Sequence, residues 1–166
     1  LQLLPRAPTL ENFRIVMSEY DFFHWLKNSV VTTIGISVGQ VAVCVLAAFA
    51  VVYFKTRYGA LVFYFLIATM VIPFQVTMIP NYILVSRLGF LNTAAAVIVP
   101  SIASASTFFF LRQSIRGIPS VLYEAATIEG TGSFWSLLNV VLPLAKSPIS
   151  AMFILCVIDG WNLFFW

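Results

Sequence analysis

Long apolar runs separated by short polar breaks organise this chain. The first run covers 29–54 and exceeds the roughly 20 residues that a helix needs to cross bilayer hydrocarbon. Gly35, Ser37 and Gly39 place small residues close together along it, which permits close approach of another helix. Gln40 is its one strongly polar side chain, with two uses open to it: a hydrogen bond to another helix, or the lining of a path. After the basic turn Lys55-Thr56-Arg57-Tyr58-Gly59, a second run covers 60–72. Pro73 breaks it, because proline lacks a backbone donor and clashes with the preceding turn. In 73–90, Gln75, Thr77, Asn81, Ser86 and Arg87 interrupt the apolar residues. That stretch reads as a bent continuation plus an interfacial helix ending at Gly89. A third run, 92–111, contains Pro100 and the small polar residues Ser101, Ser104, Ser106 and Thr107. Such residues are tolerated where a neighbour or a cavity satisfies the freed backbone groups, so this helix is a candidate for lining a pathway or for packing. A fourth run starts near Ser147 and is still in progress at Trp166.

Composition agrees with lipid as the solvent. Hydrophobic residues make up 61% and charged residues 9% of the 166 positions, with mean hydropathy +0.98. Soluble domains carry about 25% charged residues, so this chain lacks the polar coat of a water-soluble surface. The nine Lys and Arg residues are scattered between the apolar runs, which argues against a nucleic-acid interface. Cys44 and Cys156 each lie within an apolar run and read as small packing residues. The fold class is therefore an all-α polytopic membrane protein with about four transmembrane helices.

The N-terminal segment 1–27 reads as lying outside the membrane. Thr9 is placed to cap a short helix through Leu10-Glu11-Asn12-Phe13. His24, Trp25 and Lys27 form an interfacial belt ahead of the first span. With Leu1 at one end and an apolar run reaching Trp166 at the other, an internal piece of a longer membrane protein is expected. Lys55, Arg57, Arg112, Arg116 and Lys146 fall on one side of the membrane, and Arg6, Arg14, Lys27 and Arg87 on the other. That bias places the polar stretch 112–146 in the cytoplasm.

Within 112–146, Ile118-Pro119-Ser120 is a helix start, since proline suits the first turn. A helix over 121–128 would end at Gly130, which can take the left-handed turn at a helix terminus. Ser133 is the candidate cap for a second short helix carrying Phe134, Leu137 and Leu138. Glu124 and Glu129 are five residues apart and lie on partly different faces, so they do not converge as an acid–base pair. Asp159 is the one carboxylate inside a span, where a charge costs roughly 2.5–3.5 kcal/mol at mid-bilayer. Two placements are open to it: facing a hydrated translocation cavity, or hydrated near the outer interface beside Trp161.

Glu124-Ala125-Ala126, Gly130, Val140 and Leu142-Pro143 together resemble the signature loop of bacterial ABC importer permeases. The resemblance narrows to the maltose-type carbohydrate permeases through Thr9-Leu10-Glu11-Asn12-Phe13, Asn28-Ser29, Ile79-Pro80-Asn81-Tyr82, Leu88-Gly89-Phe90-Leu91-Asn92-Thr93, Phe110-Leu111-Arg112-Gln113 and Trp161-Asn162. It covers nearly the whole chain as one permease domain, 1–166, with the family's first helix, the end of its fifth and its sixth not included. Departures are Val140 where Ile is usual, Thr131-Gly132 where Ala-Ser is common, and Asp159 where the family is apolar or small.

The resemblance implies a coupling helix at 121–128 that inserts into a cleft on a separate ATP-binding cassette subunit. Glu124, Ala125, Ala126, Glu129, Gly130, Leu142 and Pro143 are its implied coupling residues. Gln40, Ser104, Asp159 and Asn162 are candidates for the translocation pathway. The sequence contains no G-x-x-x-x-G-K-[ST] loop to cradle ATP phosphates. No cofactor is expected on this chain, with ATP and Mg on the partner ATPase. A second permease subunit, an extracytoplasmic solute-binding protein and the lipid bilayer complete the implied partners, in the inner membrane of a bacterium or archaeon. The implied cargo is a sugar or oligosaccharide, with glycerol-phosphate or another polar solute as the alternative. A secondary transporter would need intramembrane coupling-ion sites, for which only Asp159 qualifies. An intramembrane enzyme would need a nucleophile–base pair or clustered ligands, and the single histidine lies outside the spans.

Overall fold

The computed structural model describes residues 9–54 and 57–163, and all regular structure among them is helical. Arg6, Lys55, Thr56 and the chain end at Trp166 lie outside the described residues. A short exposed helix, α1 (Glu11–Glu19), opens with the Glu11 amide donating to Thr9 Oγ1 at 3.1 Å. The hydroxyl thus serves the helix start, although Leu10 occupies the cap position.

The central element is α2 (Phe22–Tyr53), 32 residues long. At 1.5 Å per residue it reaches about 48 Å, well beyond the roughly 30 Å of hydrocarbon. It starts seven residues before the expected start at 29, so His24, Trp25 and Lys27 ride on its first turns. Helical geometry does not stop where the side chains become interfacial, which is why the apolar run marked the span and not the helix.

The other spans are broken. Helices α3 (Gly59–Thr69) and α4 (Phe74–Arg87) meet at 102° across Pro73. The 11 residues of α3 rise only about 16 Å, so α3 does not cross by itself. Helix α4 ends as expected at Gly89, whose φ of 73° lets the Phe90 amide reach Val85 O (3.1 Å) and its own amide reach Ser86 O (3.1 Å). Helices α5 (Ala94–Ser101) and α6 (Ala105–Arg116) bend by 48°, just beyond Pro100.

The stretch 112–146 is not a polar loop throughout. Helix α6 carries the chain to Arg116, and then come α7 (Ser120–Ile128), α8 (Ser133–Ser136), a π-helical segment (Leu137–Val141), α9 (Leu142–Leu144) and α10 (Lys146–Trp161). Leu137, Val141 and Ala145 are all at most 3% exposed and pack into the core with Cys44, Val45, Ala48 and Phe49 of α2, with Phe108, Leu111 and Ile115 of α6, and with Met152 and Cys156 of α10. The second half of the expected loop is therefore part of the bundle. Pro143 accounts for its irregularity. A proline ring crowds the carbonyl four residues back, and the wider turn ahead of it instead bonds the Leu142 amide to Leu137 O. An 81° bend at Ala145 then redirects the chain into α10.

Lipid tails are as apolar as leucine, so helix association in the membrane relies on close packing and hydrogen bonds. Gln40 Nε2 donates to Thr107 Oγ1 at 2.6 Å and ties α2 to α6. Cys44 Sγ lies 3.5 Å from Ser104 O, and Cys156 Sγ lies 3.9 Å from Thr107 Oγ1. Gly35 and Gly39 let α5 approach α2. A Cβ at Gly35 would sit 2.6 Å from Ile98 Cδ1, and one at Gly39 would sit 2.7 Å from Ile102 Cγ2.

These two contacts differ in what can yield. Ile98 Cδ1 is the free end of its side chain, whereas Ile102 Cγ2 is fixed next to the backbone. Gly35→Ala is therefore expected near neutral, with rotation of Ile98 offset by the ~0.5–1 kcal/mol gain in helix propensity. Gly39→Ala is expected to lose ~1–3 kcal/mol to overpacking. Thermal unfolding in detergent checks this, and equal midpoints for the two variants would contradict the packing described.

Candidate functional site

Two regions gather the residues singled out from sequence. The first is the turn around α7. Pro119 precedes the helix with φ −56° and ψ 123°, and the helix starts at Ser120, one residue ahead of expectation. It closes at Gly130, whose φ of 79° directs the Gly130 amide to Thr127 O (3.0 Å) and the Thr131 amide to Ala126 O (3.1 Å). Thr131 Oγ1 donates to the same Ala126 carbonyl at 2.6 Å and lies 3.2 Å from Ser136 Oγ. Thr131 thus locks the exit of α7 to the start of the next segment.

Ser133 does not cap α8. Gly132 holds the cap position without a side-chain bond, and Ser133 Oγ lies 3.2 Å from Tyr123 OH instead. The hydroxyls of Thr131 and Ser136 already brace this turn, with Ser136 Oγ donating to Gly132 O at 3.3 Å.

On α7 the faces separate cleanly. Ala126 is buried against the protein, whereas Glu124, Ala125 and Ile128 point outward and Ile128 is 88% exposed. Glu129, at the helix end, is also exposed. Leu142 is half-buried against the core, and Pro143 is exposed. The inward face is held by Tyr123. Its ring lies 4.4 Å from Tyr53 and 5.9 Å, edge-on, from Phe49, both on α2. Sequence reasoning passed over Tyr123, because an aromatic beside a polar island gives no sign of which helix it will meet.

The second region is a cleft of ≈ 630 Å³ on the bundle. Gln40, Ser104 and Asp159, distant in sequence, all line it. Thr69, Thr77 and Ser106 add hydroxyls, while Met70, Ile72 and Phe74 add apolar walls. Two of the three broken spans open onto it, since Met70 and Ile72 belong to the α3–α4 break and Ala103 and Ser104 to the α5–α6 break. Non-helical backbone at membrane depth belongs where protein or a watery cavity satisfies it. Ser104 does part of this work, its Oγ accepting the Thr107 amide at 3.3 Å. Gln40 fills both roles open to it, bonding α6 while facing the cleft. Asn162 stays apart from the cleft lining, with its Nδ2 donating to Ile158 O at 2.7 Å at the end of α10.

Among the described residues no group of three or more His, Cys, Asp or Glu side chains is placed to hold a metal ion. Glu124 and Glu129 stand on an exposed turn, remote from the cleft lining.

Residues 28–166 match the family described as binding-protein-dependent transport system inner membrane component. The sn-glycerol-3-phosphate transport system permease protein UgpE of Salmonella typhi is 32% identical over 172 residues, covering 100% of this chain and 61% of its own length. The protein of the same name from Brucella abortus is 32% identical over 175 residues, with the same coverage. The chain thus spans 61% of the length of these relatives. A crystal structure of a bacterial ABC transporter involved in the import of the acidic polysaccharide alginate superposes with a TM-score of 0.86 over 97% of this chain and 57% of that one, at 23% identity, and so shares its fold. By the family match over most of its length, this chain belongs to the inner membrane components of binding-protein-dependent transport systems.

Proposed function

We propose that this chain is the membrane-spanning permease subunit of an ATP-driven importer for a sugar or oligosaccharide, with ATP hydrolysed on a partner. In this reading the whole of 1–166 is one permease domain in the inner membrane, with 1–27 outside and the α7 turn in the cytoplasm. Two ATPase subunits carry ATP and Mg, a second permease completes the pathway, and an extracytoplasmic solute-binding protein delivers the cargo. The names of the relatives favour a second reading, in which the cargo is a glycerol-phosphate.

The observation that carries the proposal is the tether between an outward-facing helix and the helix that lines the cleft. Glu124, Ala125 and Ile128 are presented outward on α7, while Tyr123 fixes α7 to Tyr53 and Phe49. The same α2 carries Gln40 into the cleft. A partner that moves α7 therefore moves α2, and the cleft with it. Allosteric coupling requires two sites, two global states and an element that both sites bias, and in this reading α2 is that element. Glu124 would meet basic side chains of the ATPase, Ala125 would permit close approach, and Gly130, Leu142 and Pro143 would hold the path back into the bundle. Glu129 would add charge at the rim of the contact.

Reversing the charge at the centre of this surface should disconnect it. Glu124→Lys is expected to reach the membrane at the normal level, yet to lose copurification with the ATPase and to abolish uptake. Normal uptake by that variant would count heavily against the assignment.

The tether can be tested separately from the docking surface. Tyr123→Phe retains the ring contacts and loses only one hydrogen bond, a net effect of about 0.5–1.5 kcal/mol. Tyr123→Ala also removes the aromatic pairs, worth about 0.5–1.5 kcal/mol each beyond area burial. We expect Tyr123→Ala to bind the ATPase while moving several-fold less solute per ATP hydrolysed, and Tyr123→Phe to stay near normal. Measured uptake-to-hydrolysis ratios decide between this and a tether with no part in coupling, for which both ratios would be unchanged.

A further inference from the structure

Charge is distributed unevenly around the cleft. Among the described residues Asp159 is the one charged side chain in its lining, and no lysine, arginine or histidine shares it. The helix ends there add to the bias. The C-terminal ends of α3 (Thr69), α5 (Ser101) and α10 (Gly160) border the cleft, against the N-terminal ends of α4 (Phe74) and α6 (Ala105). Each end carries roughly half an elementary charge, negative at C-termini and positive at N-termini. Three negative ends against two positive ones leave a small negative remainder, to which the carboxylate adds a full charge. The positive end of α6 is partly occupied already, since Ser104 Oγ accepts the Thr107 amide.

We infer that the cleft admits uncharged, hydroxyl-bearing solutes and rejects anions, with Asp159 as the excluding charge. The inference rests on the permease reading above and narrows its cargo to neutral sugars or polyols rather than phosphate esters or uronates. Such a solute presents hydroxyls that can donate to Asp159 and exchange hydrogen bonds with Gln40, Thr77 and Ser104. Its C–H faces match Met70, Ile72 and Phe74. An anion entering the same space would meet a like charge on walls that, among the described residues, offer no cationic side chain.

The test reads the field with charged thiol reagents, so it does not depend on knowing the cargo. The full-length permease, assembled with its ATPase in membrane vesicles, carries Ala103→Cys, a lining position. Reaction rates are measured with a cationic (trimethylammonioethyl) and an anionic (sulfonatoethyl) methanethiosulfonate. Each rate is divided by that reagent's rate with free mercaptoethanol. Cys44 and Cys156 are at most 3% exposed, and the protein without Ala103→Cys gives their background.

The cationic reagent is expected to be favoured about tenfold after normalisation, the scale for unit charges several ångströms apart in a hydrated site. Asp159→Asn, which keeps size and polarity, should bring the ratio close to one. So should high salt without any variant, because the Debye length falls to about 3 Å at 1 M. A normalised ratio near one before either change would overturn the inference, as would a ratio unmoved by Asp159→Asn. Failure of both reagents to react would overturn it too, since no solute could then reach the cleft. ATPase copurification and ATP hydrolysis by the assembled complex are scored on the same vesicles, so loss of the permease reading and loss of the charge selection give different results.

Discussion

A backbone amide or carbonyl in hydrocarbon must find its hydrogen-bond partner within the protein, and the rest of this structure follows from that requirement. Where α2 runs unbroken for 32 residues, its own helix satisfies it. Where Pro73 and Pro100 interrupt the chain, it has to be met in other ways, and both interruptions open onto one cleft. Ser104 serves the broken backbone there, Gln40 ties α2 to α6, and both line the cleft. Ser104 thus caps α6 and faces the cleft at once.

The same requirement shapes the far end of the bundle. Pro143 deprives the chain of a donor, and the π-helical turn ahead of it lets the core residues Leu137 and Val141 stay buried while α10 departs at 81°. Thr131 and Gly130 close α7 compactly, and Tyr123 pins it to α2. The outward face of α7 is left free of internal work, a suitable arrangement for a surface that engages another subunit. Helix α2 then runs from the aromatic contact at Phe49 and Tyr53 to the cleft residue Gln40 as a single rigid element.

Much of this was legible from sequence, for identifiable reasons. Length and apolarity announced α2, Pro73 announced the break in the second span, and Gly89 and Gly130 marked helix ends through their freedom at positive φ, whereas the third span, read as continuous through Pro100, is bent by 48°. The conjunction Glu124-Ala125-Ala126, Gly130 and Leu142-Pro143 pointed to the family. What escaped required tertiary contact. The burial of Leu137, Val141 and Ala145 could not be read from a stretch that looked polar on average. Ser133 looked like a cap, but its hydroxyl was taken by Tyr123, a partner ten residues away. The extension of α6 to Arg116 was hidden because Arg112 and Gln113 ended the apolar run without ending the helix, and Arg112 instead lies 4.1 Å over the Phe63 ring. Gln40, Ser104 and Asp159 could be named one by one, but their meeting depends on how three spans pack.

In the proposed transporter the α7 turn and the cleft belong to one rigid body that moves as a unit against the paired permease. Spin labels at the exposed positions Ile128 and Asn162, one near each end of the bundle, allow this to be measured by pulsed electron–electron distance spectroscopy on the assembled transporter. The Ile128–Asn162 distance within the chain is expected to be the same with and without a non-hydrolysable ATP analogue, while the distance from Ile128 to a label on the paired permease changes by several ångströms. A nucleotide-dependent change confined to the distance within the chain, with the distance between subunits fixed, would contradict it.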